Sequence, residues 1–226
     1  MTIAPDPTLA ASLSAAYERL PLFPLPRTTL LPHTLQPLHV FEPRYRALIA
    51  DLLQGDGLLG IPQLAPGFEA DYAGRPALLP VMGVGRVLRA KAYDDGRYDI
   101  LVGGLTRVRL VEELVVATPY RQVRVVALPE LEPTTVPALQ RSLQQIRFQL
   151  LSLAQHRPDQ QRELRTLAEL GGCPKELLDG LAGMAIRRAE ERQAYLERDR
   201  ITERAELVLA SLIELNMANQ AEACEA

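Results

Sequence analysis

Three constellations in this 226-residue chain are of types that can do chemistry, and spacing decides among their readings. Met82-Gly83-Val84-Gly85 has two of the glycines of a dinucleotide loop, where a missing side chain lets the backbone approach a pyrophosphate. Leu88 stands where the third glycine belongs and no helical period follows, so the run reads as a strand crossing closely packed neighbours. His33 and His39 are imidazoles of the kind that bind zinc. They sit in a proline-rich segment without neighbouring Cys or Asp, and His156 lies far along the chain. They read as a turn and a strand histidine. Asp94-Asp95 and Glu112-Glu113 are paired carboxylates placed at a turn and at a strand end. Acid–base work would also require a partner group and a cleft. No GxxxxGK[ST] phosphate loop occurs. The expectation is therefore no catalytic residue, no metal and no cofactor.

Two surfaces are better candidates for binding. The segment 62–80 has no period and several Pro and Gly, the mark of a long surface loop, and such loops are usually functional or mobile. Its Phe68, Tyr72, Leu78 and Leu79, with Phe41 and Tyr45 nearby in sequence, form a candidate partner surface. Phe41 and Tyr45 have a structural reading too, as anchors of a helix on a sheet, with Glu42 capping it and Arg44 pairing with an acid. A second candidate is basic. Arg86, Arg89, Arg107 and Arg109 lead a cluster that also holds Lys91, Arg97, Arg121 and Arg124, whereas the chain from Arg157 onward is acidic on balance. Alternation along a half-solvated strand requires polar residues on one face in any case.

The elements that must position these residues start at Leu20. Prolines at 21, 24, 26, 32 and 37 argue against helix before residue 40, because each lacks an N–H and fixes φ. Leu22, Leu25, Leu30, Leu35, Leu38 and Val40 suit half-buried extended segments. Pro43 then fits a first helical position, and Tyr45, Leu48, Ile49, Leu52 and Leu53 follow on one apolar face until Gly55. Leu58 to Ile61 is a short strand. Val81 to Tyr93 and Tyr98 to Val111 flank the turn Asp94-Asp95-Gly96-Arg97, a hairpin, and Gly103-Gly104 marks a bulge or bend in its second arm. Tyr120 to Leu128 is a further strand, with Val123 and Val125 on the face opposite Gln122 and Arg124.

Beyond the stiff stretch Pro129 to Pro137 the period becomes helical. Leu139, Leu143, Ile146, Leu150 and Leu153 step by 4, 3, 4 and 3 and stop at His156-Arg157-Pro158. A shorter helix is expected over Gln160 to Leu170, ended by Gly171-Gly172. Another starts at Pro174 with Leu177, Leu178, Leu181, Ala185 and Ile186 inward. A single long helix is expected from about Glu190. The fold class is thus α+β, with a loose arm at 1–19, a β lobe carrying one packed helix at 20–130, and a helical lobe at 131–226.

Composition agrees with an ordinary globular chain: 47% hydrophobic, 23% charged, net charge −3. That charge exerts no bulk pull toward nucleic acid or an anionic membrane. The apolar stretch Leu207 to Ile213 is far short of the ~20 residues a membrane helix needs. The first residues lack a secretory pattern, and Cys173 and Cys224 have no CxxC spacing, so a reduced cytoplasmic location is expected.

Leu20 to Leu25 (LPLFPL), Pro32-His33, Pro37-Leu38 and Phe41 to Arg46 (FEPRYR), at these intervals, resemble the opening of the Lon protease N-terminal domain. That module binds substrate and also occurs as small stand-alone bacterial proteins. The likeness continues through Asp95-Gly96, the segment Leu101 to Val108, Leu181-Ala182, Arg192-Gln193, Leu196-Glu197 and Ile201 to Glu206, so it covers nearly all of 20–215. Gln36 departs from it, standing where the family usually has an apolar residue. The resemblance implies a PUA-like β-barrel for the β lobe. It also implies a polypeptide-binding or adaptor role in proteolysis and protein quality control, with unfolded or extended polypeptide and a Lon-type protease as partners. The expected recognition is shallow, along the 62–80 loop or between the lobes. Full-length Lon adds an ATPase module and a Ser-Lys protease domain, neither of which is visible here, so no enzyme is expected. Because the PUA fold belongs to RNA-modifying proteins, the alternative reading is an RNA-binding module. It would use the basic face, with steep salt dependence and sensitivity to charge reversal at Arg107 and Arg109.

Overall fold

In the computed structural model, residues 7–72, 74–131, 134–169 and 172–225 are described. The chain divides into two compact units, 1–128 and 129–226.

The first unit is built on an antiparallel sheet of six strands: β1 (Leu20–Pro21), β2 (Leu35–Val40), β3 (Leu58–Ile61), β4 (Val81–Ala92), β5 (Tyr98–Glu113) and β6 (Gln122–Ala127). Their order is β1-β6-β5-β4-β3, with β2 paired to the first half of β5. The ends of this path meet. Leu22 bridges Gly60, the Phe23 N–H donates to the Gly60 carbonyl at 2.9 Å, and the Leu22 N–H donates to the Arg121 carbonyl at 2.9 Å. The β4–β5 hairpin turns through Gly96, whose φ of 81° is the left-handed conformation expected of that turn.

Helix α2 (Pro43–Leu52) starts at its proline and buries Tyr45, Leu48, Ile49 and Leu52. They pack with Phe23, Val40, Ile61, Ile100, Val102 and Tyr120 on one side of the sheet. Leu53, expected on that stripe, is exposed, because the helix has ended before it. On another side Leu20, Leu22, Met82, Val84, Val108, Val123 and Val125 form a second cluster. Leu13, Ala16 and Tyr17 of helix α1 (Pro7–Glu18) pack against it. The loose arm expected at 1–19 is thus a helix over 7–18, since Leu13 and Tyr17 have an apolar surface to cover; residues 1–6 lie outside the described part.

Gly83 and Gly104 are where the chain crosses itself most tightly. A β-carbon at Gly83 would collide with the Leu30 carbonyl, and one at Gly104 with the Leu31 carbonyl. The His33 N–H donates to the Gly104 carbonyl at 3.0 Å, and the Gly104 N–H to the Thr34 carbonyl at 2.8 Å. The dinucleotide-like glycines therefore serve close packing. The bend expected at Gly103-Gly104 is a register shift, with Gly85 opposite Gly104 and Val84 opposite Thr106.

The second unit is helical: α3 (Pro137–His156), α4 (Gln161–Glu169), α5 (Pro174–Ala185), α6 (Ala189–Glu197) and α7 (Ile201–Glu225). Leu139, Leu143, Ile146, Leu150 and Leu153 are the buried stripe of α3, as their spacing predicts. The stop expected for α4 involves Leu170 and Gly171, which lie outside the described residues, as do residues 132 and 133 of the linker. The single long helix expected from Glu190 is two. Arg198 adopts an extended backbone at the end of α6, and the Asp199 carbonyl accepts from the Leu131 N–H at 3.1 Å instead of continuing a helix.

Candidate functional site

The outer face of β2, β5 and β4 is built by pairing register. Opposed residues on neighbouring strands share a face, so Pro37, Leu101 and Arg89 form one row, and His39, Asp99 and Lys91 the next. Leu35 opposes Gly103, and a β-carbon at Gly103 would meet the Leu88 side chain, so Leu88 lies over that glycine. Leu88 reaches this face because the register slips between Val87 and Arg89, leaving it as the extra residue of a bulge. Leu35 is 62% exposed, Phe41 61% and Leu88 53%. Leu35 and Leu88 adjoin across Gly103, and Phe41 lies at the far end of β2 against His39; exposed apolar side chains grouped on one face are a usual mark of interaction sites.

Most of the polar side chains on the rest of the face are paired with one another. His39 Nδ1 lies 2.6 Å from an Asp99 oxygen, and the Tyr93 hydroxyl donates to the other. These bonds, His39's first, hold the Asp99 carboxyl below the usual carboxylate range. His39 stacks on Phe41 at 6.2 Å, and the Lys91 ammonium sits 4.8 Å from the Tyr93 ring centre. Arg89 is exposed and, among the described residues, has no ion-pair partner.

Beside Phe41 the start of α2 holds down the 62–80 loop. Arg44 donates from Nε to Glu42 at 3.1 Å, and its guanidinium lies 4.7 Å from the Tyr45 ring centre and 5.9 Å from that of Tyr72. The Tyr72 hydroxyl donates to Glu42 at 3.3 Å. Glu42 makes no side-chain cap, contrary to expectation, because Arg44 and Tyr72 claim its carboxylate. A cleft of about 150 Å³ lies here, with Pro24, Arg44, Tyr45, Arg75, Tyr120 and Arg121 in its wall. Its arginines are already engaged: Arg121 donates to Glu113 at 2.9 and 2.7 Å and to the Pro76 carbonyl at 2.7 Å, and Arg75 also pairs with Glu113. The cleft is smaller than the roughly 300 Å³ at which drug-sized ligand sites begin.

Burial raises the Glu113 pKa, but the Arg121 and Arg75 bonds outweigh it, so its pKa falls below the usual 4.5. A carboxylate with a depressed folded pKa stabilises fully above its unfolded pKa and loses that contribution as pH falls through the folded value. Denaturation midpoints measured from neutral pH into the acid range are expected to fall there, and Glu113→Gln to flatten that acid limb.

The sequence candidates separate on this frame. Phe41 is exposed at the site, Tyr72 rests beside it, and Phe68 is half-buried with its ring 6.1 Å from that of Tyr72. Leu78 bridges Leu64 and packs on the core, and the Leu79 N–H donates to the Gln63 carbonyl at 2.9 Å, so both lie half-buried at the loop's root. Tyr45 is only 5% exposed, its ring 4.3 Å from that of Phe23; the core has taken it. The basic candidates do not form one surface. Arg89 and Arg109 are exposed and Arg86 half-buried, but Arg107 is 3% exposed. Arg107 pairs with Gly83 on β4, where the chain at Leu30 crosses the sheet and covers that face. Leu35, Leu88, His39 and Tyr93 escaped sequence reasoning. Period two would have placed Leu35 outward once the inward side of Val40 was known. Nothing local signals the bulge that turns out Leu88.

Among the described residues no three His, Cys, Asp or Glu side chains converge as a metal set, and no helix is long and apolar enough to cross a membrane.

Fold and site together define an α+β protein, an antiparallel sheet plus helices, that presents an exposed apolar sheet face. The family model of the ATP-dependent protease La (LON) substrate-binding domain matches residues 19–214, and the chain belongs to that family. It is 31% identical over 196 residues to Lon protease 2 of Myxococcus xanthus, covering 85% of this chain and 23% of that protein. It is 30% identical over 182 residues to Lon protease 2 of Syntrophobacter fumaroxidans, covering 80% and 22%. The chain thus spans less than a quarter of these relatives. Its fold is similar to the N-terminal domain of a Mycobacterium avium complex Lon protease, with a TM-score of 0.69 at 19% identity, covering 86% of this chain and 98% of that one. A Lon N-terminal domain protein from Xanthomonas campestris is also similar, with a TM-score of 0.59 at 22% identity, covering 85% and 97%.

Proposed function

We propose that this protein binds extended or unfolded polypeptide on the β2–β5–β4 face, without catalysis of its own. In this reading it is a cytoplasmic adaptor or recognition module for a Lon-type protease, and its β unit is a PUA-like barrel. The carrying observation is the exposed side chains of Leu35 and Leu88, which adjoin across Gly103 on the paired β2–β5–β4 strands, with exposed Phe41 just beyond the end of β2. The closure of the strand path through Leu22 and Gly60 supports the barrel. Family membership supports the ligand class.

Recognition would run across the face through side chains. Strand β2 pairs with β5 alone, but Pro37 removes a donor from β2, so adding a peptide strand to its free edge is disfavoured.

Fluorescence anisotropy with a permanently unfolded, reduced and alkylated polypeptide tests this. Leu35→Ser, Phe41→Ser and Leu88→Ser are each expected to weaken binding by roughly tenfold, in line with the burial of one large apolar side chain. An affinity unchanged in the triple variant overturns the site, and a wild-type chain that binds no polypeptide overturns the function. Of the basic cluster behind the RNA alternative, Arg89, Lys91, Arg97, Arg109 and Arg124 are exposed, but Arg97 and Arg124 pair with Asp95 and Glu112, and Arg107 is buried. Salt-dependent RNA binding lost on Arg89→Glu with Arg109→Glu would favour it instead.

A further inference from the structure

Leu35 and Leu88 are set among cations that the rest of their face does not neutralise. In pairing register Arg86, Gly103 and Leu35 form one row, Arg89, Leu101 and Pro37 the next, and Lys91, Asp99 and His39 a third. Gly103 adds no side chain to the first row, and Leu88 lies over it. Leu88 therefore stands between two arginines of its own strand, Arg86 two residues before it and Arg89 directly after. These rows carry three cations and one carboxylate, on a chain whose net charge is −3. The carboxylate, Asp99, lies in the third row, where His39 and the Tyr93 hydroxyl hold it. The surface around Leu35 and Leu88 is thus locally opposite in sign to the chain.

Arg86 is the unusual member. It is half-buried, its β3 partner Leu58 is 4% exposed, and its Cγ would lie 3.6 Å from a β-carbon placed on Gly57. Its aliphatic stem is therefore packed down beside β3, as long basic side chains pack when only the head stays in water. Its Nε is buried without a hydrogen bond, and among the described residues its guanidinium has no ion-pair partner. A partly desolvated cation with an unmet donor is costly. A carboxylate docked on the guanidinium offsets that cost, because the charge is shared over the whole planar fork. Arg89, exposed and likewise without an ion-pair partner, stands on the other side of Leu88.

We infer that the polypeptide segment recognised on this face carries an acidic side chain, Asp or Glu, next to its apolar residues. Arg86 and Arg89 receive the carboxylate, and Leu35 and Leu88 take the apolar side chains. This rests on the polypeptide-binding reading above and adds to it the charge of the ligand. Charge complementarity selects an acidic segment over a neutral or basic one. The surroundings of the two arginines select polypeptide over nucleic acid: Leu35, Pro37 and Leu88 are aliphatic and offer no ring on which a base could stack.

Fluorescence anisotropy of the full chain with three labelled peptides tests it. They share one leucine-containing extended sequence and differ only in a Glu, Gln or Lys beside the leucines. Acetylated and amidated ends leave the glutamate side chain as the only carboxylate. The Glu peptide is expected to bind roughly fivefold tighter than the Gln peptide, the scale of partly exposed ion pairs, and the Lys peptide weakest of all. Added salt is expected to narrow these differences. Arg86→Gln with Arg89→Gln is expected to remove the difference between the Glu and Gln peptides. Arg89→Glu alone, at an exposed position that places no demand on folding, is expected to bring the Lys peptide above the Glu peptide. Three peptides bound equally well overturn the inference and leave the polypeptide-binding reading standing, whereas no binding of any of them takes that reading down as well. Displacement of the Glu peptide by an equal concentration of single-stranded RNA would assign the two arginines to phosphate and overturns the inference too.

Discussion

Arg204→Ala is expected to destabilise the helical unit by roughly 3–5 kcal/mol, the cost of breaking a buried ion pair from one side. Arg204 is 2% exposed on α7. Its guanidinium pairs with Glu130, in the segment that precedes α3, and lies 3.5 Å from Asp179 on α5. The Tyr195 hydroxyl of α6 donates to the same Asp179 carboxylate at 2.7 Å, and its ring centre is 5.9 Å from the guanidinium. Burial, and then the Asp179 charge, push the Tyr195 pKa well above its ordinary value. One cation thus satisfies two carboxylates drawn from different segments. Alanine removes that cation while Asp179 keeps a side chain only 2% exposed. For a unit of about 100 residues, each kcal/mol shifts Tm by roughly 4–8 °C, so a fall of about 12 °C or more in its calorimetric transition is expected. Arg204→Met combined with Asp179→Asn should recover much of the loss, because the fully buried carboxylate is then neutral and Glu130, with a side chain 25% exposed, can turn its charge toward water. A Tm within a few degrees of wild type for Arg204→Ala alone would show that water reaches the carboxylates.

Gly104→Ala is expected to cost the β unit roughly 3 kcal/mol or more, at the upper end of what overpacking does, because the obstacle is backbone. The new methyl group would collide with the Leu31 carbonyl and press on Pro32 Cα. Relief requires moving residues 31–34, whose His33 and Thr34 hold Gly104 through backbone hydrogen bonds. Leu30 and Leu31, each 1% exposed, would come out with them. Strand β2 begins one residue later, so polypeptide binding through Leu35 should weaken in parallel with stability. Gly55→Ala is the control: a β-carbon there meets nothing within 4 Å, and its effect is expected within roughly 0.5 kcal/mol. Urea midpoints for the two variants give the comparison directly.

These two sites differ in how far the chain announces them. Gly104 stands in a glycine pair inside a strand pattern, which signals a bulge or bend and not the close approach found there. The partner in that approach, the carbonyl of Leu31, lies 73 residues away in the chain and is not signalled. Arg204 belongs to the Ile201 to Glu206 run that resembles the Lon family, yet nothing in that run says that its arginine is buried. The break between α6 and α7 is similarly silent, since Arg198-Asp199-Arg200 contains no proline or glycine. The helix is interrupted there by a hydrogen bond from Leu131, a residue distant in sequence.

Local chemistry accounts for the element types: prolines before residue 40, Pro43 opening a helix, Gly96 in a hairpin turn, and the 4, 3, 4, 3 spacing of α3. Those signals operate within a few residues, so they survive without any fold, and together with the motifs at 20–46 they name the family. The candidate surfaces were of another kind. Tyr45 and Arg107 moved to the interior and Leu35 and Leu88 to the outside, because exposure depends on which distant segment covers each face. Strand register, one bulge and the crossing at Leu30 and Leu31 settle that question, and all three are contacts between residues far apart in the chain.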